Sequence, residues 1–313
     1  MTPNFASYGR IACQQLPIQL SPCVWRLGTY HLAVFLVRGQ GQSLLFEVGL
    51  STTAPLVLAQ LAELGVPKEE VRYVVLTHAH SDHATGQAPL MAALGRAELV
   101  MTQASRRHLD KPETAQAFHE EDIFTSAVIA DQASPEDTQR VAEPEGLPES
   151  ILIKEPGESL VVDNVNLELL GAHGHVPGGL VGWLPGDGVL LGSDSAGFCS
   201  LGEPAYPLYF VSYGGYQANL AQLSGLNPEI LGLGHQDCFK GPSVNEYMER
   251  TMELLAREHQ RIVDGVNAGR SGEDLAQDIF NRYYHDELAI YPPDTMMDCN
   301  RLLVRRSLEH EEV

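Results

Sequence analysis

The 313-residue sequence predicts an α/β fold followed by a helical C-terminal region. Two observations support this prediction. Short β-type segments alternate with helical patterns before about residue 240, and only helical patterns follow Ser243. With 44% hydrophobic residues, the chain can bury one large core and still carry an additional helical element. We therefore expect a core domain over residues 1–240 and a C-terminal helical extension over residues 241–313.

The predicted elements of the core follow from apolar runs and their periodicity. Strands are expected at residues 32–37, 43–46, 71–76 and 97–101, with two more between Ser159 and Leu170. A helical pattern covers residues 53–64. Residues 104–150 are polar and acidic, with helical patches between prolines, and either form a wall of a cleft or make a solvated surface excursion.

The C-terminal extension has three expected helices. Ser243 to Glu246 form a capping box, and Ser271 to Asp274 carry a similar start signal. A third helix is expected after Pro292 and Pro293.

A histidine-rich segment follows the apolar run at residues 71–76. His78 and His80 can face one metal ion, while Asp82 and His83 in the following turn can face a second. Imidazole nitrogen and carboxylate oxygen are ligands that suit zinc, iron or manganese. The spacing therefore predicts a site for two transition-metal ions.

These residues, in the pattern H-x-H-x-D-H, resemble the signature of the metallo-β-lactamase superfamily. Three later segments match that family's motifs in the same order: Gly174 to Gly178, the short strand ending at Asp194, and the apolar strand ending at His235. Together the motifs span about the first three quarters of the chain. The resemblance implies an αββα sandwich, with residues 1–240 as the metal-binding domain and the C-terminal helices as a cap over the active-site mouth. Comparable C-terminal helices occur in glyoxalase II-like thioesterases and in the pseudomonad quinolone-signal response protein.

The resemblance implies a complete set of ligands for two divalent cations. They are His78, His80, Asp82, His83, His175, Asp194 and His235, with Asp194 as the bridging carboxylate. His173 could compete with His175, but only His175 occupies the family's turn position. Glu47 stands where the family commonly has Asp, and it can orient a ligand imidazole by accepting its second N–H.

Two cations bound in this way would lower the pKa of water from about 15.7 towards about 7. We therefore expect a hydrolase in which a bridging hydroxide attacks a carbonyl and Asp82 acts as a catalytic residue. The expected substrate is a small thioester, lactone or ester. Two alternatives are a metal-holding regulatory protein that acts through a partner surface and a diiron redox enzyme.

The substrate is expected to contact an aromatic segment between Asp194 and His235. The candidates are Tyr209, Phe210 and Tyr213, with His173 as a further contact. The alternative is that these aromatic side chains bury the C-terminal helices, because aromatic residues more often serve packing than recognition.

Composition limits the partners. A formal charge of −21 disfavours nucleic acid, because affinity for a phosphate backbone comes largely from Lys and Arg. The five cysteines form no C-x-x-C pair, no signal peptide is recognisable, and no apolar run approaches about 18 residues. We expect a cytoplasmic protein with reduced thiols and a small-molecule substrate, away from membranes and possibly a homodimer.

Overall fold

Two seven-stranded sheets pack face to face in the computed structural model, which describes residues 9–132 and 146–311. The first sheet has, in spatial order, β2 (Ile18–Gln19), β3 (Val24–Gly28), β4 (Ala33–Arg38), β5 (Ser43–Phe46), β6 (Val71–Val75), β7 (Glu98–Met101) and β8 (Ile151–Ile153). The second has β1 (Gly9–Ile11), β16 (Cys238–Lys240), β15 (Ile230–Gly232), β12 (Val189–Leu191), β11 (Gly179–Leu184), β10 (Val165–Ala172) and β9 (Ser159–Val162). A separate hairpin joins β13 (Phe198–Ser200) to β14 (Glu203–Tyr206).

Helices cover the outer faces of both sheets and form the C-terminal region. They are α1 (Thr53–Glu63), α2 (Gln87–Leu94), α3 (Gln103–Leu109), α4 (Pro112–Gln132), α5 (Tyr213–Gly225), α6 (Pro242–Asn267), α7 (Gly272–Tyr283) and α8 (Pro293–Glu311). The order of layers is that of an αββα sandwich, so the predicted fold class is confirmed.

Strand β4 shows why its sequence is apolar at nearly every position. Phe35 and Val37 point between the two sheets, while Val34 and Leu36 point towards α1 and α2. Successive side chains of a strand point to opposite faces, so a strand covered on both faces needs apolar residues on both. The segment therefore lacks the polar–apolar alternation of a half-exposed strand.

The outer face of the second sheet packs against α5 and the first half of α6. Leu190 and Leu231 of the sheet contact a cluster that includes Leu223 of α5 and Met248 of α6. The second half of α6 joins α7 and α8 in another apolar cluster, which also includes Tyr209 and other aromatic residues between positions 198 and 220. The C-terminal helices thus share their core with the segment that precedes β15.

Most of the predicted elements are found. The expected strands at residues 32–46, 71–76, 97–101 and 159–170 and the helix at residues 53–64 are present within two residues of their expected bounds. Residues 103–132 form α3 and α4, and the remainder of the expected insertion up to residue 145 lies outside the described residues. None of the helices in the described ranges is both long and apolar enough to span a bilayer.

One helix start differs from its prediction. Gly241, with φ of 70°, is the N-cap of α6, and the Ser243 hydroxyl donates to Lys240 O instead of capping the helix. The helix starts earlier because Pro242 is pre-organised for the first helical position and Gly241 tolerates a positive φ. By contrast, Ser271 is the N-cap of α7, as predicted, and accepts a hydrogen bond from Asp274 N.

Candidate metal centre

The predicted ligands come together at one edge of the sandwich. His78 to His83 follow β6 of the first sheet. His175, Asp194 and His235 come shortly after β10, β12 and β15 of the second sheet. The site therefore lies where the carboxyl ends of strands from both sheets meet.

The side chains form two groups of ligand atoms. One contains His78, His80, His175 and Asp194, and the other contains Asp82, His83 and His235. Within each group, the ligand atoms lie within 4.8 Å of one another. Each group has the composition and spacing of a site for a divalent cation.

Asp194 lies between the two groups. Its Oδ2 is 3.3 Å from His175 Nε2 and 3.7 Å from His78 Nε2. Its Oδ1 is 3.1 Å from His235 Nε2 and 3.5 Å from His83 Nε2. One carboxylate oxygen therefore faces each group, which is the arrangement of a bridging ligand.

Four of the histidines are oriented through their Nδ1 atoms. His175 Nδ1 donates to Leu208 O and His235 Nδ1 donates to His31 O, each at 2.8 Å. His83 Nδ1 donates to Glu47 Oε2 at 2.9 Å, and His78 Nδ1 contacts Thr77 Oγ1 at 3.0 Å. A hydrogen bond at one ring nitrogen fixes the tautomer and leaves the other nitrogen for a cation. All four therefore turn Nε2 towards the centre.

Glu47 supports the predicted ligands, and with His78 and His83 it also forms a third group of possible ligand atoms. It is fully buried, and its Oε2 accepts hydrogen bonds from His83 Nδ1 and from Thr77 Oγ1, both at 2.9 Å. Because the Thr77 hydroxyl donates to Glu47, its oxygen can accept from His78 Nδ1. The sequence predicted that Glu47 accepts the second N–H of a ligand imidazole, and the structure shows that this imidazole is His83.

The donor set fits divalent cations. The buried Nε2 atoms of His78 and His175 have no hydrogen-bond partner within the described residues. His83 Nε2 and His235 Nε2 are only 3.1 Å apart. Two unprotonated imidazole nitrogens repel each other at this distance unless a proton or a cation lies between them. Unpartnered buried nitrogens are costly, and a bound cation would satisfy them.

The pKa values of two histidines move in opposite directions. Burial, followed by the neighbouring imidazoles of His83 and His80, lowers the pKa of His78 well below its usual range. Burial also disfavours the charged form of His83, but the carboxylates of Glu47, Asp82 and Asp194 outweigh it and raise its pKa to about 10. Metal ligands must be deprotonated, so binding of a cation at His83 would release a proton.

A cleft of about 750 Å³, its open mouth included, leads to the ligands. Its floor contains His80, Asp82, Asp194 and His235. The walls are largely apolar and come from distant parts of the chain: Phe118 of α4, Phe198, Leu208, Phe210, Leu288, and Met296 of α8. Largely apolar walls around a few convergent polar groups are typical of a site for a small organic molecule.

Of the four residues expected to touch substrate, Phe210 lines this cleft. Tyr209 is fully buried and its hydroxyl is 3.0 Å from Ser307 Oγ of α8. The ring of Tyr213 stacks on His259 of α6 with the centroids 3.8 Å apart. His173 is exposed, and its backbone N donates to Asn219 Oδ1. Both tyrosines therefore pack against the C-terminal helices, which was the alternative interpretation, and His173 belongs to neither ligand group.

Sequence reasoning missed Tyr291, which lies in the cleft and donates a hydrogen bond from its hydroxyl to Asp82 Oδ2 at 2.9 Å. It also missed Glu121 of α4 as a wall residue. Tyr291 is 209 positions from Asp82, so no local pattern indicates the contact. The adjacent Pro292 and Pro293 indicated only that a helix begins there.

An αββα sandwich with paired histidine–aspartate groups at one edge defines the metallo-β-lactamase fold. The family model described as the metallo-β-lactamase superfamily matches residues 28–235, and the chain belongs to that superfamily. The resemblance predicted from the motifs is thereby confirmed.

The individual relatives have low sequence identity to this chain. A metallo-β-lactamase family protein from Thermus thermophilus superposes with a TM-score of 0.65 at 22% identity, covering 94% of this chain and 95% of that chain. An archaeal metallo-β-lactamase superfamily protein from Sulfolobus tokodaii gives a TM-score of 0.55 at 18% identity, covering 81% of this chain and 87% of that chain. The beta-lactamase-like protein 2 homolog of Caenorhabditis elegans is 21% identical over 280 residues, covering 86% of this chain and 79% of the relative. The two solved structures agree with this chain in fold.

Proposed function

We propose that the protein is a metal-dependent hydrolase that cleaves a small thioester, lactone or ester with an apolar or aromatic acyl portion. The observation that carries the proposal is the position of Asp194 between two imidazole groups on the floor of an apolar cleft. An apolar cleft with a few polar groups at its floor suits a ligand whose bulk is hydrophobic and whose reacting group is polar.

His78, His80 and His175 would hold one divalent cation, and Asp82, His83 and His235 the other, with Asp194 shared between them. Zinc, iron and manganese all suit these ligands. When bound, such cations lower the pKa of water and polarise a carbonyl, which are the two requirements of hydrolysis at neutral pH.

The residues of the chain have separate tasks in this scheme. Phe210 and the other apolar wall residues would bind the acyl portion and exclude water from it. Asp82 lies on the cleft floor and accepts a hydrogen bond from Tyr291, so its carboxylate can orient a water molecule and take up a proton from it. The Leu208 carbonyl holds His175 in its orientation, and the His31 carbonyl holds His235.

The acidic composition supports a small substrate over nucleic acid. A formal charge of −21 provides little attraction for a phosphate backbone. The cleft walls are also apolar, whereas sites that track nucleic acid combine cationic grooves with stacking surfaces.

The test combines metal analysis with turnover by the purified protein. Metal content is measured by mass spectrometry, and hydrolysis is followed on a panel of aryl and acyl thioesters, lactones and simple esters. For Asp194→Asn we expect loss of bound metal and a fall in turnover of more than about 100-fold, beyond the range for supporting contacts. The matched control is Asp163→Asn, because Asp163 accepts from Gly41 N and Gln42 N and lies outside the ligand groups.

Two metals per chain, turnover on one substrate class and its loss in Asp194→Asn would support the hydrolase. Bound metal without turnover on any member of the panel would overturn it and favour the regulatory alternative. Consumption of oxygen in place of hydrolysis would favour the redox alternative.

A further inference from the structure

The roof of the cleft is a segment of the C-terminal region that is tied to the core on both sides. It runs from the short 3₁₀ helix at Asp286–Ile290 into the start of α8. Glu287 accepts a hydrogen bond from the Tyr30 hydroxyl at 3.1 Å, and Thr295 donates to Glu121 of α4 at 2.9 Å. These two hydrogen bonds seat the segment above the ligands.

Tyr291 lies at the centre of this segment. Its own carbonyl accepts a hydrogen bond from the Tyr284 hydroxyl at 2.9 Å, which fixes the backbone at this point. Its side chain points down into the cleft, where the hydroxyl donates to Asp82 Oδ2 at 2.9 Å. A residue of the C-terminal region thus makes direct contact with a predicted metal ligand.

Of the two polar groups near the Tyr291 hydroxyl, Asp82 is the one that accepts its proton. The Tyr291 hydroxyl also lies 3.4 Å from His235 Nδ1, but that nitrogen already donates to His31 O at 2.8 Å. A nitrogen that carries a proton and uses it elsewhere cannot accept from the tyrosine. The tyrosine proton is therefore directed to the Asp82 carboxylate.

Asp82 Oδ2 is also the oxygen that faces the second ligand group. It lies 3.6 Å from both His83 Nε2 and His235 Nε2. A carboxylate oxygen has two lone pairs, so it can accept from Tyr291 and still bind a cation.

We propose that Tyr291 is a positioning residue that holds Asp82 in the orientation needed by the second metal site and so links the seating of the C-terminal region to metal binding. The proposal rests on the metal-binding part of the proposed function and is independent of which substrate is cleaved. Hydrogen-bonded partners of metal ligands typically contribute about 10–100-fold to metal affinity. Because the effect is reciprocal, metal in the second site also favours the seated position of the segment.

The test compares Tyr291→Phe with Tyr283→Phe. Tyr283 is a matched control because its hydroxyl donates to the buried carboxylate of Glu258 at 2.8 Å, in the same region but away from the ligands. Affinity for zinc is measured by competition with a chromophoric chelator, which reports the two sites as two successive equivalents. This readout does not depend on turnover.

For Tyr291→Phe we expect one equivalent to bind about 10–100-fold more weakly and the other to stay within about twofold of the unchanged protein. Tyr283→Phe should leave both affinities unchanged even if it lowers the melting temperature. The proposal is overturned if Tyr291→Phe leaves both affinities intact, weakens both equally, or is matched by Tyr283→Phe.

The zinc measurement tests the role of Tyr291 independently of the proposed hydrolase activity. Selective weakening of one site in a protein that hydrolyses no ester would support the role of Tyr291 while refuting the proposed reaction. If the protein without any substitution binds fewer than two zinc ions per chain, the role proposed for Tyr291 is overturned as well.

Discussion

Each imidazole whose Nδ1 is hydrogen-bonded presents its Nε2 to the centre, and the identity of its partner differs between the two sheets. His175 and His235 donate to backbone carbonyls, whereas His83 donates to the carboxylate of Glu47. A carboxylate partner makes an imidazole a more basic ligand than a carbonyl does. His83 is therefore the ligand whose properties depend most on one supporting side chain.

For Glu47→Gln we expect about 10-fold weaker binding of one metal ion, because the amide keeps an acceptor for His83 but loses the negative charge. Chelator competition measures the change. Glu258→Gln serves as the control, since Glu258 is an equally buried carboxylate that contacts Arg282 and Tyr283 in the C-terminal region. Equal loss of affinity in both variants would show that Glu47 acts only through stability.

At the level of residues, the sequence indicated the candidate ligands but few of the groups that orient them. His78 to His83 carry their signal in local spacing, and Glu47 stands in a recognisable strand-end position. The carbonyls of Leu208 and His31 carry no sequence signal, because any residue has a carbonyl and these lie 33 and 204 positions from their histidines. Contacts of that kind depend on the packed fold.

The three C-terminal helices differ in how they begin. Helix α7 begins at a serine cap, whereas α6 begins at Gly241 and Pro242. The sequence predicted both helices correctly but indicated the same start signal for both. The glycine–proline pair before α6 determines its first turn, so the serine that stands three positions before Glu246 is left inside the helix.

Ser271→Ala should lower the free energy of unfolding by about 1 kcal/mol, because Asp274 N loses its acceptor at the start of α7. Ser243→Ala should have a clearly smaller effect, since Ser243 caps no helix. Urea denaturation followed by circular dichroism gives both values. A loss at position 243 that equals the loss at position 271 would contradict the assignment of the caps.

The aromatic segment after β14 shows the limit of prediction for elements. Its position between two ligands suggested substrate contact, and its composition suggested packing. In the structure Tyr209 and Tyr213 pack against α8 and α6, while Phe210 faces the cleft, where its contact with substrate stays a prediction. Which residue faces which way depends on how the C-terminal helices dock.

In the whole molecule, the two ligand groups draw on both sheets. His78 to His83 belong to the first sheet and His175, Asp194 and His235 to the second, so each group includes residues from both halves of the sandwich. A large apolar core buried between the sheets also joins the two halves. Metal binding should therefore add to the stability of a fold that already exists.

Removal of metal should lower the melting temperature without unfolding the protein at room temperature. At a free metal concentration about 100 times the dissociation constant, the stabilisation is about 2.7 kcal/mol. Differential scanning calorimetry with and without chelator measures the shift. Asp194→Asn should show little further shift on adding chelator, and an equal shift in that variant would refute the role of Asp194 as a shared ligand.

Periodicity in the sequence predicted most strands and helices, because it is encoded locally, and the resemblance of the motifs to the superfamily implied the αββα layers and the set of ligands. The resemblance implied that the C-terminal helices cover the active-site mouth, but the contacts that hold this roof were not predicted, because they join distant segments such as Glu121 in α4 and Thr295 in α8, which are 174 positions apart.

The walls and the floor of the cleft come from different kinds of segment. The floor is made by strand ends, where a shift of any residue would disturb the ligands, while Phe118, Glu121 and Met296 of the walls lie on α4 and α8, outside the two sheets. Substitutions of Phe118 and Met296 would change the shape of the walls, whereas Glu121 also holds the roof segment through Thr295. In the proposed hydrolase, the shape of the walls and the chemistry of the floor can therefore evolve at different rates, so its substrate range can diverge from that of a relative with identical ligands.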